Sequence, residues 1–432
     1  MKRLIILAAV AMTAAVHPQT EMSAEDAIAI GLENNYSIRI ARNDARIAVN
    51  NAGLGTANFL PTLDASGGYS LATSEQTTNS PFSFGDTDSE TLNGQVALNW
   101  TLFDGFRMFA EKGRFSALAR LGEAQARSAI ESAVVGILSN YFNLVRQELL
   151  LDVAREARAI SETRLNKERV RNELGGASST DLLNAQVAFN TDQAAVLDQE
   201  LQVLVARNAL NRALGRSPDA PLQVRKEIAV GEIGQPVDSL ISVARVRNSD
   251  LEAARESLAA ARRSVTTSRS AFLPRLALGA SYAYTDRTQE SNTRGEITTE
   301  STDRSVGLNL SINLFNGFRN RIEWQNARIA VRSRELALAD GENRVEGLVR
   351  ETFDTYRKRL ELVQLEEQNV AAARRNLELQ QDRYEIGAAS SLDFRDAQVN
   401  YNRSQISRIS ARYQARVAQL QLEQLTGAIR IR

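Results

Sequence analysis

Leu102-Phe103-Asp104-Gly105-Phe106-Arg107 returns about 212 residues later as Leu314-Phe315-Asn316-Gly317-Phe318-Arg319. Each copy closes a stretch of period-2 alternation and opens a long helical run without proline. Two copies of one unit, a strand pair followed by a very long helix, therefore make up the chain. Working outward, Phe59-Leu60-Pro61 matches Phe272-Leu273-Pro274 on one side. On the other, Gly175-Gly176-Ala177-Ser178-Ser179-Thr180-Asp181 matches Gly387-Ala388-Ala389-Ser390-Ser391-Leu392-Asp393.

Upstream of each copy lies a hairpin pattern, over 62–102 and 275–315. Leu63, Ala65, Gly67, Tyr69 and Leu71, then Leu92, Val96, Leu98 and Trp100, alternate with mostly polar neighbours. The second hairpin gives Leu276, Leu278, Ala280, Tyr282 and Tyr284, then Val306, Leu308, Leu310 and Leu314. Strands of roughly 9 to 12 residues with one apolar face have the length of membrane barrel strands. An ordinary soluble hairpin is the plainer alternative. Residues 73–90 and 285–304, rich in Ser, Thr and acids, are expected to be long outward loops. Trp100, Phe103 and Phe315, at the strand ends, are candidate membrane-interface aromatics. Before each hairpin an amphipathic helix is expected, over 24–58 with a break at Asn34-Asn35 and over 237–271 with a break at Asn248-Ser249. Proline ends both.

Downstream, helices are expected over 105–174 and 317–386, each about 105 Å long at 1.5 Å per residue. Val135, Leu138, Phe142, Val145 and Leu149 form one narrow seam, and Ile137, Tyr141, Leu144 and Leu151 flank it. The second copy has Val349, Phe353, Tyr356, Leu360 and Val363. Two adjacent seams suit a helix with a neighbour on each side. Gly175 and Gly387 are expected to end these helices. Ser178, Ser179 or Thr180, and Ser390 or Ser391, then cap returning helices over 180–214 and 391–426. The repeats thus span 21–215 and 237–432. Between them, 216–236 with Pro218, Pro221 and Pro236 is compatible with one strand or with plain linker.

Composition removes several function classes. Basic and acidic residues balance at 52 each, so there is no general basic footprint for nucleic acid. Cysteine is absent and the one histidine is His17. No catalytic residue, metal site or cofactor is indicated, since most nucleophilic and transition-metal chemistry lacks its usual side chains. Residues 1–20 read as a secretory signal, with Lys2 and Arg3 ahead of an apolar core from Leu4 to Val16. Cleavage is expected between Ala15 and Thr20.

Strands that cross a membrane must close into a barrel, because hydrocarbon offers no partner to an open edge. Bacterial barrels start at eight strands, and four strands per chain therefore call for an oligomer. Two chains leave no open lumen and three leave one, which favours a trimer.

The duplicated halves, Phe-Leu-Pro before a strand, Leu-Phe-Asp/Asn-Gly-Phe-Arg after a hairpin, and Gly-x-x-Ser-Ser-x-Asp at the tips resemble the TolC-type outer-membrane efflux proteins. The resemblance covers essentially the whole mature chain. It implies a mainly α fold with membrane β: a trimeric 12-stranded β-barrel continuous with a 12-helix periplasmic α-barrel. It also implies an outer-membrane duct with no enzyme activity, in contact with outer-membrane lipid. Such a duct exports small molecules or proteins received from a periplasmic adaptor and an inner-membrane transporter of RND, ABC or MFS type. Leu174, Gly175, Gly176, Ile386, Gly387 and Ala388 match adaptor-contact tips, and Asp181, Tyr384, Asp393 and Asp396 match a periplasmic gate. Taken locally, Asp181 and Asp393 are also first-turn carboxylates that favour a helix dipole, and Tyr384 suits ordinary inter-helix packing. The chain departs from the family at Phe106 and Phe318, where glycine is frequent, and at Ala389, where some members carry a basic residue. The competing reading is a surface structural or adhesive coiled-coil protein.

Overall fold

A computed structural model describes residues 21–75, 86–175, 178–291 and 295–429. The signal segment and Gly176 lie outside the described residues. The helices are α1 (Ala24–Asn34), α2 (Tyr36–Asn50), α3 (Arg107–Glu173), α4 (Ser179–Ala213), α5 (Val237–Arg247), α6 (Ser249–Ser270), α7 (Arg319–Glu385) and α8 (Ser391–Leu425). The strands are β1 (Thr62–Ser74), β2 (Thr87–Asp104), β3 (Arg275–Ser291) and β4 (Gly295–Ser311). The chain divides into two compact units.

One unit comprises Ile40–Ser128 and Arg245–Glu346 and carries the sheet. Its four strands pair antiparallel in the order β1-β2-β3-β4, so β1 and β4 each keep one unpaired edge. The strands run 13 to 18 residues, longer than expected, because much of the segments read as loops is ladder. Register explains this. Thr288 stands opposite Thr298, and the hydroxyls of Ser281 and Ser305 meet at 2.8 Å. Cross-strand Ser and Thr pairs of this kind stabilise a ladder without apolar side chains. β4 ends at Ser311, which puts Phe315 in the turn beyond it rather than at the strand end. A bulge between Thr101 and Phe103 re-aims the last residues of β2. The apolar face built by Leu63, Tyr69, Leu71 and Leu92, and by Val306, Leu308 and Leu310, has no protein cover in the chain.

The other unit comprises the described residues up to Arg39, Ala129–Ala244 and Gly347 onward. Its main core gathers Val134, Ile137, Leu138, Tyr141, Phe142, Leu144 and Val145 of α3 with Val196, Val203 and Leu210 of α4 and Leu420 of α8. Each such aliphatic side chain contributes about 1.5–3 kcal/mol on burial. A Cβ on Gly31 would lie 2.3 Å from the Ile137 Cδ1, so any side chain there would push Ile137 out of its present rotamer. α1 breaks at Asn35, whose side chain accepts from the Ile38 N–H at 3.1 Å and donates to the Ala213 carbonyl at 2.7 Å. The linker 216–236 forms no named strand. It runs extended, joined to Met22 by one isolated parallel bridge at Val224, and the Tyr141 hydroxyl donates to the Met22 carbonyl at 3.0 Å. Burial pushes the Tyr141 phenol up to about 12.

Candidate functional site

The tips of the two long helices are alike. The turn after α3 carries Gly175 and the turn after α7 carries Gly387, both at φ +77°, where a side chain would be strained. Leu174 and Ile386, just before them, are each 81% exposed. Ala388 is exposed too. Ser178 then caps α4 and Ser390 caps α8, each in a reciprocal capping box. Asp181 Oδ2 accepts from the Ser178 hydroxyl at 2.7 Å, and Asp393 Oδ2 from the Ser390 hydroxyl at 2.7 Å. These bonds, with Arg383 nearby, hold the Asp393 carboxyl below its ordinary range. Both carboxylates are thus turned back onto their own helix ends. Asp396, one turn further along α8, is exposed.

Tyr384 is 3% exposed and sits between helices. Its ring stacks on Phe394 with centroids 5.3 Å apart, and the Lys167 ammonium lies 4.4 Å from its centroid. Its hydroxyl donates to the buried Glu168 carboxylate. Burial first, and Glu168 second, push the phenol up to about 12. Tyr384 therefore joins α7 and α8 to α3 by packing and one charge-assisted hydrogen bond.

Beside it lies a polar cluster that the heptad reading passed over. Arg395 of α8 donates to both oxygens of Asp192 of α4, at 2.6 and 2.9 Å. Ser161 of α3 donates to the same carboxylate, and Gln398 Nε2 donates to the Ala157 carbonyl at 2.9 Å. Arg164 reaches the Ser391 carbonyl at 3.4 Å, and burial lowers its guanidinium from the usual range. Three helices meet here through these side chains, of which Ser161 and Gln398 are fully buried. The signal was present in Gln398, Gln405 and Gln419, polar residues at multiples of seven that are all buried.

At the other candidate site, each hairpin passes into its long helix through two successive left-handed residues, Gly105 with Phe106 and Gly317 with Phe318. A Cβ on Gly105 would lie 2.7 Å from the Ser270 carbonyl oxygen, so glycine is required there. The phenylalanines have φ of 67° and 66°, at a cost of about 1–2 kcal/mol each. The two residues are 57% and 61% exposed. Phe106 meets Phe103 edge-on at 5.2 Å, and Phe318 meets Phe315 edge-on at 5.4 Å. Trp100 donates its Nε1–H to the Phe59 carbonyl at 3.0 Å.

The model of the outer membrane efflux protein family matches residues 28–216 and again 240–428. The alkaline protease secretion protein AprF of Pseudomonas aeruginosa is 28% identical over 77% of this chain and 70% of its own length. Outer membrane protein TolC of Vibrio cholerae is 26% identical over 86% of this chain and 83% of its own. Among solved structures, the CmeC outer membrane channel of Campylobacter jejuni superposes with a TM-score of 0.78 at 16% identity, covering 94% of this chain and 85% of that one. The solved channel shares the fold, and the chain belongs to the outer membrane efflux protein family, an efflux protein of the outer membrane.

Proposed function

We propose that the chain works as a homotrimer, a passive export duct without enzyme activity. The observation that carries this is the sheet. β1 and β4 end it with unpaired edges and an uncovered apolar face, which lipid does not tolerate unless further strands close the ring. At four strands a chain, three chains supply a twelve-stranded barrel. The same closure holds for helices: Leu183, Val187, Leu197, Leu201 and Leu204 of α4, Leu365 and Leu379 of α7, and Ile386 just beyond it are exposed in the single chain. These stripes fit α4 of one protomer against α7 of the next.

Leu174, Gly175, Gly176, Ile386, Gly387 and Ala388 form the tips offered to a periplasmic adaptor, which hands over cargo from an inner-membrane transporter of RND, ABC or MFS type. Exposed apolar residues ahead of both turns support that docking. Tyr384, with the Arg395–Asp192 pair beside it, fastens the second-repeat tip to the first and holds the gate. Asp396 is the freest acid for an aperture, while Asp181 and Asp393 serve their helix caps first.

Native mass measurement of the purified protein in detergent tests the assembly. A trimer is expected, and a stable folded monomer overturns it. For the aperture, Asp396→Ala should lower cation selectivity in single-channel recordings more than Asp393→Ala. Unchanged reversal potentials in the double variant would remove the acidic gate.

A further inference from the structure

Asn58, Phe106 and Phe318 are the only non-glycine residues at positive φ among the described residues. Asparagine visits this region readily, whereas a bulky aromatic side chain is an outlier there. Both outliers occupy the same place in the two repeats. The turn itself asks only for a permissive residue, and glycine already fills the position before each. Within the chain Phe106 meets Phe103 and Phe318 meets Phe315 edge-on, yet more than half of each residue stays uncovered. Strain retained twice without burial points to a use outside the protomer.

We propose that Phe106 and Phe318 are wedges seated in the headgroup–acyl boundary of a phospholipid leaflet, and that their rings are the reason the strained backbone is kept. This rests on the reading of the sheet as membrane-spanning. The turns follow the ends of β2 and β4, whose apolar faces are uncovered, and Leu102, Phe109, Leu314 and Phe315 around them are exposed as well. Arg107 and Arg319 follow directly and are exposed. An aromatic ring beside an arginine suits this depth, with the ring among the upper acyl carbons and the guanidinium reaching phosphate. A neighbouring copy would more readily receive an apolar residue without the adjoining charge.

Single tryptophans in a Trp100→Phe, Trp324→Phe background of the full-length protein test the idea. Phe106→Trp, Phe318→Trp and Leu308→Trp proteins are reconstituted into phosphatidylcholine vesicles whose acyl chains carry bromine either near the headgroup or deep. Positions 106 and 318 should lose most of their emission to the shallow bromines and little to the deep ones, whereas 308 should show the reverse. Quenching at 308 without quenching at 106 and 318 overturns the wedge, leaving the rings against another copy or water. No quenching at 308 overturns the membrane reading instead. A second variant guards against misfolding: Phe106→Gly with Phe318→Gly relieves the backbone and should fold, yet reconstitute at several-fold lower yield. A yield equal to the parent protein's also overturns the wedge.

Discussion

α3 and α7 are both 67 residues long and hold equivalent places in the repeats, yet they are buried differently. α3 buries Val134, Ile137, Leu138, Tyr141, Phe142, Leu144 and Val145, two adjacent seams shared with α4 and α8. α7 buries Val345, Val349, Phe353 and Tyr356 and then, one residue every seven, Val363, Val370, Leu377 and Tyr384. A duplicated sequence has not produced duplicated roles. The first copy is an inner stave already flanked on both sides, and the second is an outer stave whose other seam stays bare. Under the proposed trimer, the bare seam of α7 is the face that receives the next protomer.

The largest expected effect would break that contrast outright. Leu365→Asp with Leu379→Asp should leave a folded chain but abolish the trimer in native mass measurement, while Leu144→Ala on α3 should cost about 3 kcal/mol of stability. A trimer surviving the paired aspartates would mean that α7 is not the interface. Next, Arg395→Met should destabilise the tip by about 3–5 kcal/mol in denaturant titration, because Asp192 is left buried and unpaired. Adding Asp192→Leu should recover most of the loss, and no recovery would show that the pair matters through something other than its charge. Phe106→Gly should exceed Phe106→Ala in stability by about 1 kcal/mol in detergent, since both remove the ring and only glycine accepts the turn.

The smallest effects concern pH. Tyr384 has a raised folded pKa, so its contribution is fully present below pH 10 and is lost as pH rises to about 12. Asp393 has a depressed pKa, so its contribution is present above 3.8 and is lost as pH falls through the lowered value. Hydrogen exchange in the first turn of α8 should speed up at both extremes. In Tyr384→Phe only the alkaline arm should vanish.

Repeat, strand pairs, long helices and glycine turns were legible because each has a local cause: period, proline, capping serine, left-handed glycine. The capping boxes at Ser178 and Ser390 follow from the same local chemistry. Strand length was not legible, since Thr285–Arg304 looks like loop until cross-strand threonines find one another. The Arg395–Asp192–Ser161 cluster was hidden for a similar reason. Its members lie on α8, α4 and α3, and only tertiary packing makes an exposed-looking polar residue a buried clamp. Phe106 and Phe318 stood out in sequence as departures, but their meaning needed the sign of φ.

The bridge between Met22 and Val224 carries a consequence for biosynthesis. Its two partners are separated by about 200 residues, so the first segment to leave the inner membrane waits a long time for its mate. The unit they stitch together also needs residues from Gly347 onward, with the whole second hairpin threaded between. Translocation order and folding order therefore conflict. Early segments that wait for late ones leave apolar surface uncovered meanwhile, which is where aggregation competes with folding.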